Sequence, residues 1–399
     1  MNKRWIVILV SLAAFFGPFT QTIYVPLIPE VQQHFGSSEF VVNLTISIFT
    51  LVLALMQVLY GPLVDRFGRK KLLLPGIFIY IVGSFGAALS ASIWMLLFFR
   101  AIQAAGIAVG SVVATTVIGD LFEGKALGRS MGTFQMFVSL GPVLGPIIGG
   151  LIGGYTTFEG VFWILTFFGI ILALLNMYFL PETKIGQGDI GRFSLRDFGI
   201  VLNNRVGMVV VVLGFIQYYT FYQFLVFMPN LLKETYLLTT IQIGWVFLPL
   251  SLTVVIGNLV GGRLQEYVLP KKLIVTCASL GILAILLYIF LAPVSLFLLN
   301  ISLALFGLCM GVCSPIQTTL LTNTFIEKRA TAIGVYNFLR YLGMAAGPMI
   351  GTFLFNWKPF AEFYFSAFLF SCVLLFARQK LKDPHITIQE ETKDVYSEG

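Results

Sequence analysis

Twelve stretches of this chain are long and apolar enough to cross a bilayer, and that count restricts the fold more tightly than any other feature. A hydrocarbon core takes about 20 apolar residues of helix, because a spanning backbone finds no water and must satisfy its own polar groups. The stretches lie near 5–29, 40–63, 72–92, 94–120, 130–153, 161–180, 206–229, 241–262, 272–292, 295–323, 331–356 and 360–378. The first follows Lys3 and Arg4 as a signal peptide would, but it is too long and has no convincing cleavage site, so it reads as span 1. The predicted fold class is an all-α polytopic membrane protein. With 58% hydrophobic and 11% charged residues, disorder and nucleic-acid binding are excluded. The 39 Phe are expected to face lipid for the most part.

A net charge of +7 suggests a basic patch until the cations are placed between the spans. Of the 25 Lys and Arg, 21 fall on one side, in the first residues, the even-numbered connections and the tail. Lys233 and Lys358 fall on the other side, and Arg100 and Arg340 lie inside spans. Basic residues are retained in the cytoplasm, so both termini are predicted to be cytoplasmic, in a cell (inner or plasma) membrane. The longest polar break divides six spans from six, giving a lobe at 1–180, a linker at 181–205, a second lobe at 206–378 and a tail at 379–399. Within the linker, 193–202 has the pattern of a short surface helix, but a solvated tether is the expectation. Cys277, Cys309, Cys313 and Cys372 sit in apolar runs without disulfide or metal-ligand spacing, so they read as small apolar residues. No metal or cofactor is expected, and the chain is expected to be a monomer.

The two halves repeat each other. At an offset of 202, Gly132, Gly141, Gly145, Pro146 and Gly149 correspond to Gly334, Gly343, Gly347, Pro348 and Gly351. At an offset of 201, Gly61, Leu63, Asp65, Lys70 and Lys71 correspond to Gly262, Leu264, Glu266, Lys271 and Lys272. Two pseudo-symmetric six-helix lobes place an interface at the bilayer midplane, where a site can open to either side in turn. A one-chain channel shares the helix count but does not call for paired loops and hinge-rich helices.

The loop after span 2 reads Gly61-Pro-Leu-Val-Asp65-Arg66-Phe-Gly68-Arg69-Lys70, and it resembles the loop signature of the major facilitator superfamily. The resemblance implies a conformational latch made by Gly61, Asp65, Arg66, Gly68 and Arg69. Physically, a carboxylate can cap a neighbouring helix and an arginine can form charge-assisted bonds. Asp120, ending span 4, is a candidate partner for Arg66 or Arg69. Span 5 carries Gly141-Pro142-Val-Leu-Gly145-Pro146-Ile-Ile-Gly149-Gly150, similar to the motif of the twelve-helix drug:proton antiporter branch. Small residues every fourth position let helices approach, and prolines bend them; the implied direction, export, comes from the resemblance. Leu180-Pro181-Glu182-Thr183 looks like the same branch.

Arg100 lies in Leu96-Leu-Phe-Phe-Arg100-Ala-Ile-Gln103-Ala104-Ala105-Gly106, similar to the family's span-4 motif with Ala104 where Gly is usual. An embedded arginine is costly and faces a partner or cavity, so Arg100 and Gln103, on one helix face, are candidates for substrate or proton coupling. The alternative is an arginine snorkelling to the outer interface. Arg340, beside Asn337 and Tyr341, breaks the repeat, since its mate is Val138; Arg340 and Asn337 join the candidates for substrate or proton coupling, with Arg340 facing either an anion in the cavity or a buried structural partner. The resemblance further implies a cavity lined by spans 1, 4, 7 and 10, which adds Gln21, Tyr24, Gln217, Tyr218, Tyr222 and Gln317. Carboxylates sit near span ends, Glu30 and Glu362 among those at outer ends. Glu30 and Asp120 are the candidate proton acceptors. The expected function is proton-coupled multidrug export by alternating access. Two embedded arginines without a deep acid leave a second reading open, export of an anionic or zwitterionic metabolite such as a metal chelator. A channel is less favoured, and no metal cluster or nucleotide loop supports an enzyme.

Overall fold

The computed structural model describes residues 3–183, 196–238, 240–358 and 360–380, so part of the linker and nearly all of the tail lie outside the described residues. The twelve spans are Lys3–Leu27, Leu44–Phe67, Arg69–Ala88, Ile93–Leu121, Gly124–Gly153, Phe158–Phe179, Arg205–Tyr236, Trp245–Leu264, Pro270–Leu291, Leu296–Thr324, Arg329–Phe355 and Ala361–Lys380. They form two six-helix lobes, and among the described residues there is no strand.

Local chemistry sets the helix starts. Ser38 and Ser92 accept the amides of Val41 and Met95, and the Asn204 side chain accepts those of Val206 and Gly207, each satisfying donors that a helix start leaves open. Spans 2 and 3 turn through Gly68 at φ +104°, a conformation any side chain would strain, so this loop position requires glycine. Span 4 is two helices, Ile93–Ile107 and Val109–Leu121. The linker departs from the solvated tether in its second half. Arg196–Asn203 is a helix with Val201 buried against Val210 and Phe325.

Each lobe has its own apolar core, with Val10, Tyr24, Val112 and Leu165 in the first and Leu213, Phe224, Leu303 and Phe370 in the second. The phenylalanines divide between core and surface. Phe98, Phe290 and Phe353 are exposed on the apolar exterior, but Phe224 packs within a span-interior group, 4.9 Å from Tyr288, 5.1 Å from Phe306 and 4.9 Å from Phe363. Phenylalanine rings thus supply both the apolar exterior and the packed interior.

Two seams join the lobes, span 2 against span 11 and span 5 against span 8. A Cβ on Gly61 would lie 2.9 Å from the Ala330 oxygen, and one on Gly132 or Gly262 would lie 2.7 Å from the other glycine's Cα. Both seams are therefore backbone-to-backbone, and the repeat interchanges them. Within the first lobe, Gly141 and Gly149 let span 5 lie on span 1: a methyl at Gly149 would overlap the Ile23 carbonyl. Gly343 and Gly347 do the same for span 11 on span 7, against the carbonyls of Phe215 and Tyr219.

Candidate functional site

The end of the molecule that carries the Gly68 turn holds a set of charged contacts between lobes. Asp65, in the last turn of span 2, accepts the Ala330 amide at 3.2 Å, the Thr331 amide at 2.9 Å and the Thr331 hydroxyl at 2.8 Å. These are first-turn groups of span 11, so one carboxylate caps a helix of the other lobe. Asp120 joins Arg69, at 2.8 Å from Nε and 3.3 Å from Nη2, to Arg329 of the second lobe, whose Nη1 lies 3.0 Å away. Thr183 donates to the same carboxylate at 3.0 Å. Of the two arginines weighed as partners, Arg69 makes the fork, while the Arg66 guanidinium lies 4.9 Å from the Phe67 ring centre. Glu182 accepts the amides of Arg69, Lys70 and Lys71, capping span 3 from the end of span 6. On the second seam, Arg129 meets Glu266 at 2.6 Å.

Deeper along both seams lie amide contacts that sequence reasoning missed. Asn337 donates to Gln57 at 3.1 Å, and Gln57 donates in turn to the Ala108 carbonyl and Ser111. Asn258 donates to the Gln135 carbonyl at 3.1 Å and to Ser139 at 2.7 Å. The offsets of the repeat relate Gln57 to Asn258 and Gln135 to Asn337. Extending the glycine match by one helical turn was the signal that would have found them.

Arg340 is 4% exposed and stacked among tyrosines, its guanidinium carbon 4.8 Å from Tyr218, 5.5 Å from Tyr341 and 5.6 Å from Tyr336. Tyr336 and Tyr341 come from its own helix and Tyr218 from span 7. Its Nε has no hydrogen-bond partner. The group borders the lobe interface, because Tyr341 and Met344 are buried in the first lobe's core cluster and Tyr218 and Tyr222 pack against it. Gln217 and Gln317 are satisfied within the second lobe: Gln317 donates to Gln217 at 2.8 Å and accepts from the Tyr336 hydroxyl at 2.6 Å, which steadies one wall of the arginine's surroundings.

Arg100 is fully buried inside the first lobe rather than extended to the outer interface. Nη1 donates to Gln103 at 2.6 Å and to the Thr20 carbonyl at 3.3 Å, the rings of Phe49 and Tyr24 lie 4.2 and 5.1 Å away, and Nε and Nη2 have no partner. Gln103 donates to Ser84 at 2.8 Å. Gln21 donates to Thr50 at 2.7 Å, and the Tyr24 hydroxyl accepts from Thr45. The structure thus divides the candidates into an Arg100 group inside the first lobe and an Arg340 group at the lobe interface. Glu30 caps span 6 through the Phe158 amide at 2.8 Å. Among the described residues, no group of three or more His, Cys, Asp or Glu is placed to hold a metal.

Twelve spans in two repeated lobes, joined by paired glycine seams, define a membrane transporter fold. The sequence profile of the Major Facilitator Superfamily matches residues 10–348, and the chain belongs to that family. It is 32% identical over 200 residues to the multidrug transporter AQR1 of Candida glabrata, an alignment covering 49% of this chain and 33% of the relative. It is 29% identical over 212 residues to citrate exporter 1 of Aspergillus niger, covering 52% of this chain and 40% of that protein. The alignments therefore span well under half the length of these two relatives. The human organic anion transporter MFSD10 superposes with a TM-score of 0.78 at 19% identity, over 94% of this chain and 100% of that one, a likeness of fold. The protein is a multi-pass membrane protein of that family.

Proposed function

We propose that this protein exports small organic anions across the cell membrane by alternating access, driven by inward proton movement. The observation that carries the reading is Arg340: a guanidinium 4% exposed at the lobe interface, stacked on tyrosines, with Nε unpartnered. A guanidinium forks onto a carboxylate through two parallel bonds, and aromatic faces hold its plane for that contact. The charged end is then cytoplasmic, and 1–180 and 206–378 rock about the 181–205 linker. Asp65, Arg69, Asp120 and Arg329 hold the cytoplasmic side shut while the site faces outward. Gly141, Pro142, Gly145, Pro146 and Gly149 keep span 5 close enough to span 1 to seal the first lobe against leakage. Similarity to a citrate exporter agrees with an anionic cargo.

Multidrug export is the second reading, favoured by similarity to AQR1 and by the tyrosine faces of Tyr218 and Tyr222, which suit flat organic cations. Proteoliposomes with a trapped pH dye separate the two. Citrate should evoke proton movement and ethidium should not. Arg340→Ala should weaken citrate transport about 10- to 100-fold, the loss of one or two charge-assisted bonds. Proton movement evoked by ethidium alone, unchanged in Arg340→Ala, refutes the anion reading in favour of multidrug antiport.

A further inference from the structure

Glu362 opens span 12 at the end opposite the basic one, a placement that by sequence reads as an ordinary first-turn acid. The structure gives it different surroundings. It is 1% exposed, and its Oε2 has no hydrogen-bond partner. The other acids discussed above have theirs: Asp65 takes amides, Asp120 and Glu266 take arginines, and Glu30 takes the Phe158 amide.

The groups around Glu362 are rings and hydroxyls rather than cations. Tyr288 of span 9 packs on Phe363, the next residue, at 4.7 Å between ring centres, and Tyr219 of span 7 on Phe365 at 6.4 Å. Tyr219 is itself fully buried, beside Gln223. Phe363 also stacks on Phe224 and closes the region with aromatic surface. Lys233 and Glu234 at the end of span 7 and Lys358 after span 11 are exposed. The positive end of span 12 favours a negative charge here, but that effect is smaller than the desolvation of an unpaired carboxylate, and binding one proton removes the charge.

A hydrogen-bond chain runs from the main chain at this residue to span 11. Ser366, one turn further along span 12, donates to Gln223 of span 7 and to the Glu362 carbonyl at 2.9 Å. Gln223 donates to the Gly347 carbonyl of span 11 at 3.5 Å. Gly347 lies seven residues beyond Arg340, about 10 Å along the same helix. The start of span 12 is thereby tied to spans 7 and 11, which supply the Tyr218 and Arg340 sides of the candidate site.

We propose that Glu362 is a proton-binding site of the transporter: Oε2 takes a proton from the outer aqueous side to give the neutral carboxyl, and gives it up as the second lobe rearranges. The proton-binding assignment stands on the geometry alone; its use in coupling rests on the export reading above.

Infrared difference spectra of the purified chain in lipid nanodiscs, stepped between neutral and alkaline buffer, where ordinary exposed carboxyls stay ionised, test the binding without any substrate. A titrating carboxyl stretching band is expected in the native protein and in Glu30→Gln, and is expected to be missing in Glu362→Gln. A band of full amplitude in Glu362→Gln overturns the proposal whatever the cargo. Coupling is tested in proteoliposomes with radiolabelled citrate: Glu362→Gln should keep citrate–citrate exchange while proton-driven uphill transport falls by about tenfold or more. Exchange and uphill transport lost together, in protein that still purifies as one species, overturns the coupling role and leaves Glu362 a structural group. Citrate transport absent in the native chain refutes the anion-export reading, and the infrared band still decides the proton site. Should Glu362→Gln not fold, Glu362→Asp serves instead, with a displaced carboxyl band expected and an undisplaced one overturning the assignment.

Discussion

Replacing Asp65 by Asn tests how strongly the two lobes are held at the basic end. The carboxylate accepts two amides and one hydroxyl from the start of span 11. Bonds to a charged acceptor contribute about 1.5–3 kcal/mol each and neutral ones about 0.5–1.5, so neutralising the acceptor removes about 1 kcal/mol per bond. The asparagine NH2 must also face one of the donors, and the favourable interaction with the helix start, about 0.5 kcal/mol, is lost. Together these amount to about 3–4 kcal/mol, or roughly a 150- to 900-fold shift toward the form open at this end. Spin labels at Lys71 and Glu327, one exposed residue on each lobe, report the change as a longer inter-lobe distance. Cys372 is exposed and must be replaced first, whereas Cys277, Cys309 and Cys313 are buried. Thr331→Val keeps both amides and should move the equilibrium less. A distance distribution in Asp65→Asn identical to that of the native chain refutes the reasoning, because the cap would then contribute nothing to closure.

Three further outcomes follow from the geometry. A methyl at Gly149 overlaps the Ile23 carbonyl while one at Gly150 meets nothing within 4 Å, so Gly149→Ala should lower the thermal unfolding midpoint and transport, and its neighbour Gly150→Ala should leave both unchanged. On the second seam, Arg129 is 61% exposed, so Arg129→Ala should shift the inter-lobe equilibrium by less than about 1 kcal/mol. Asn258→Leu removes the buried bonds to Ser139 and Gln135 and should shift it further, as read by the same spin-label distances.

The twelve spans were legible because each satisfies a one-dimensional requirement, about 20 apolar residues in a row. The lobes were legible because the glycines of the repeat recur at one offset. Partners were harder, since they depend on which faces meet across lobes. Asp65 stood out by its sign within a basic loop, but nothing local told that it would meet Ala330 and Thr331, 265 and 266 residues away. Of the rings around Arg340, Tyr336 and Tyr341 follow from helical spacing, while Tyr218 arrives from span 7. Gln57 and Asn258 were passed over because neutral amides carry no topological signal, although the repeat related them. Glu362 lies at the outer helix end where the sequence places it, and what the sequence does not show is its burial, 1% exposed. The linker helix Arg196–Asn203 went the same way, its order coming from the apolar seat beneath Val201.

The two glycine seams are copies by descent but not in strength. The span 2–span 11 seam carries the Asp65 cap and lies beside the Arg69–Asp120–Arg329 bridge, all mostly buried, whereas the span 5–span 8 seam ends in an ion pair whose arginine is largely solvated. Unequal fastenings on a common joint do not release together. The lobes should part as a zipper opened from one side, span 8 lifting from span 5 first and span 11 swinging on the Asp65 side as a pivot, which would give the mouth at this end a lopsided aperture.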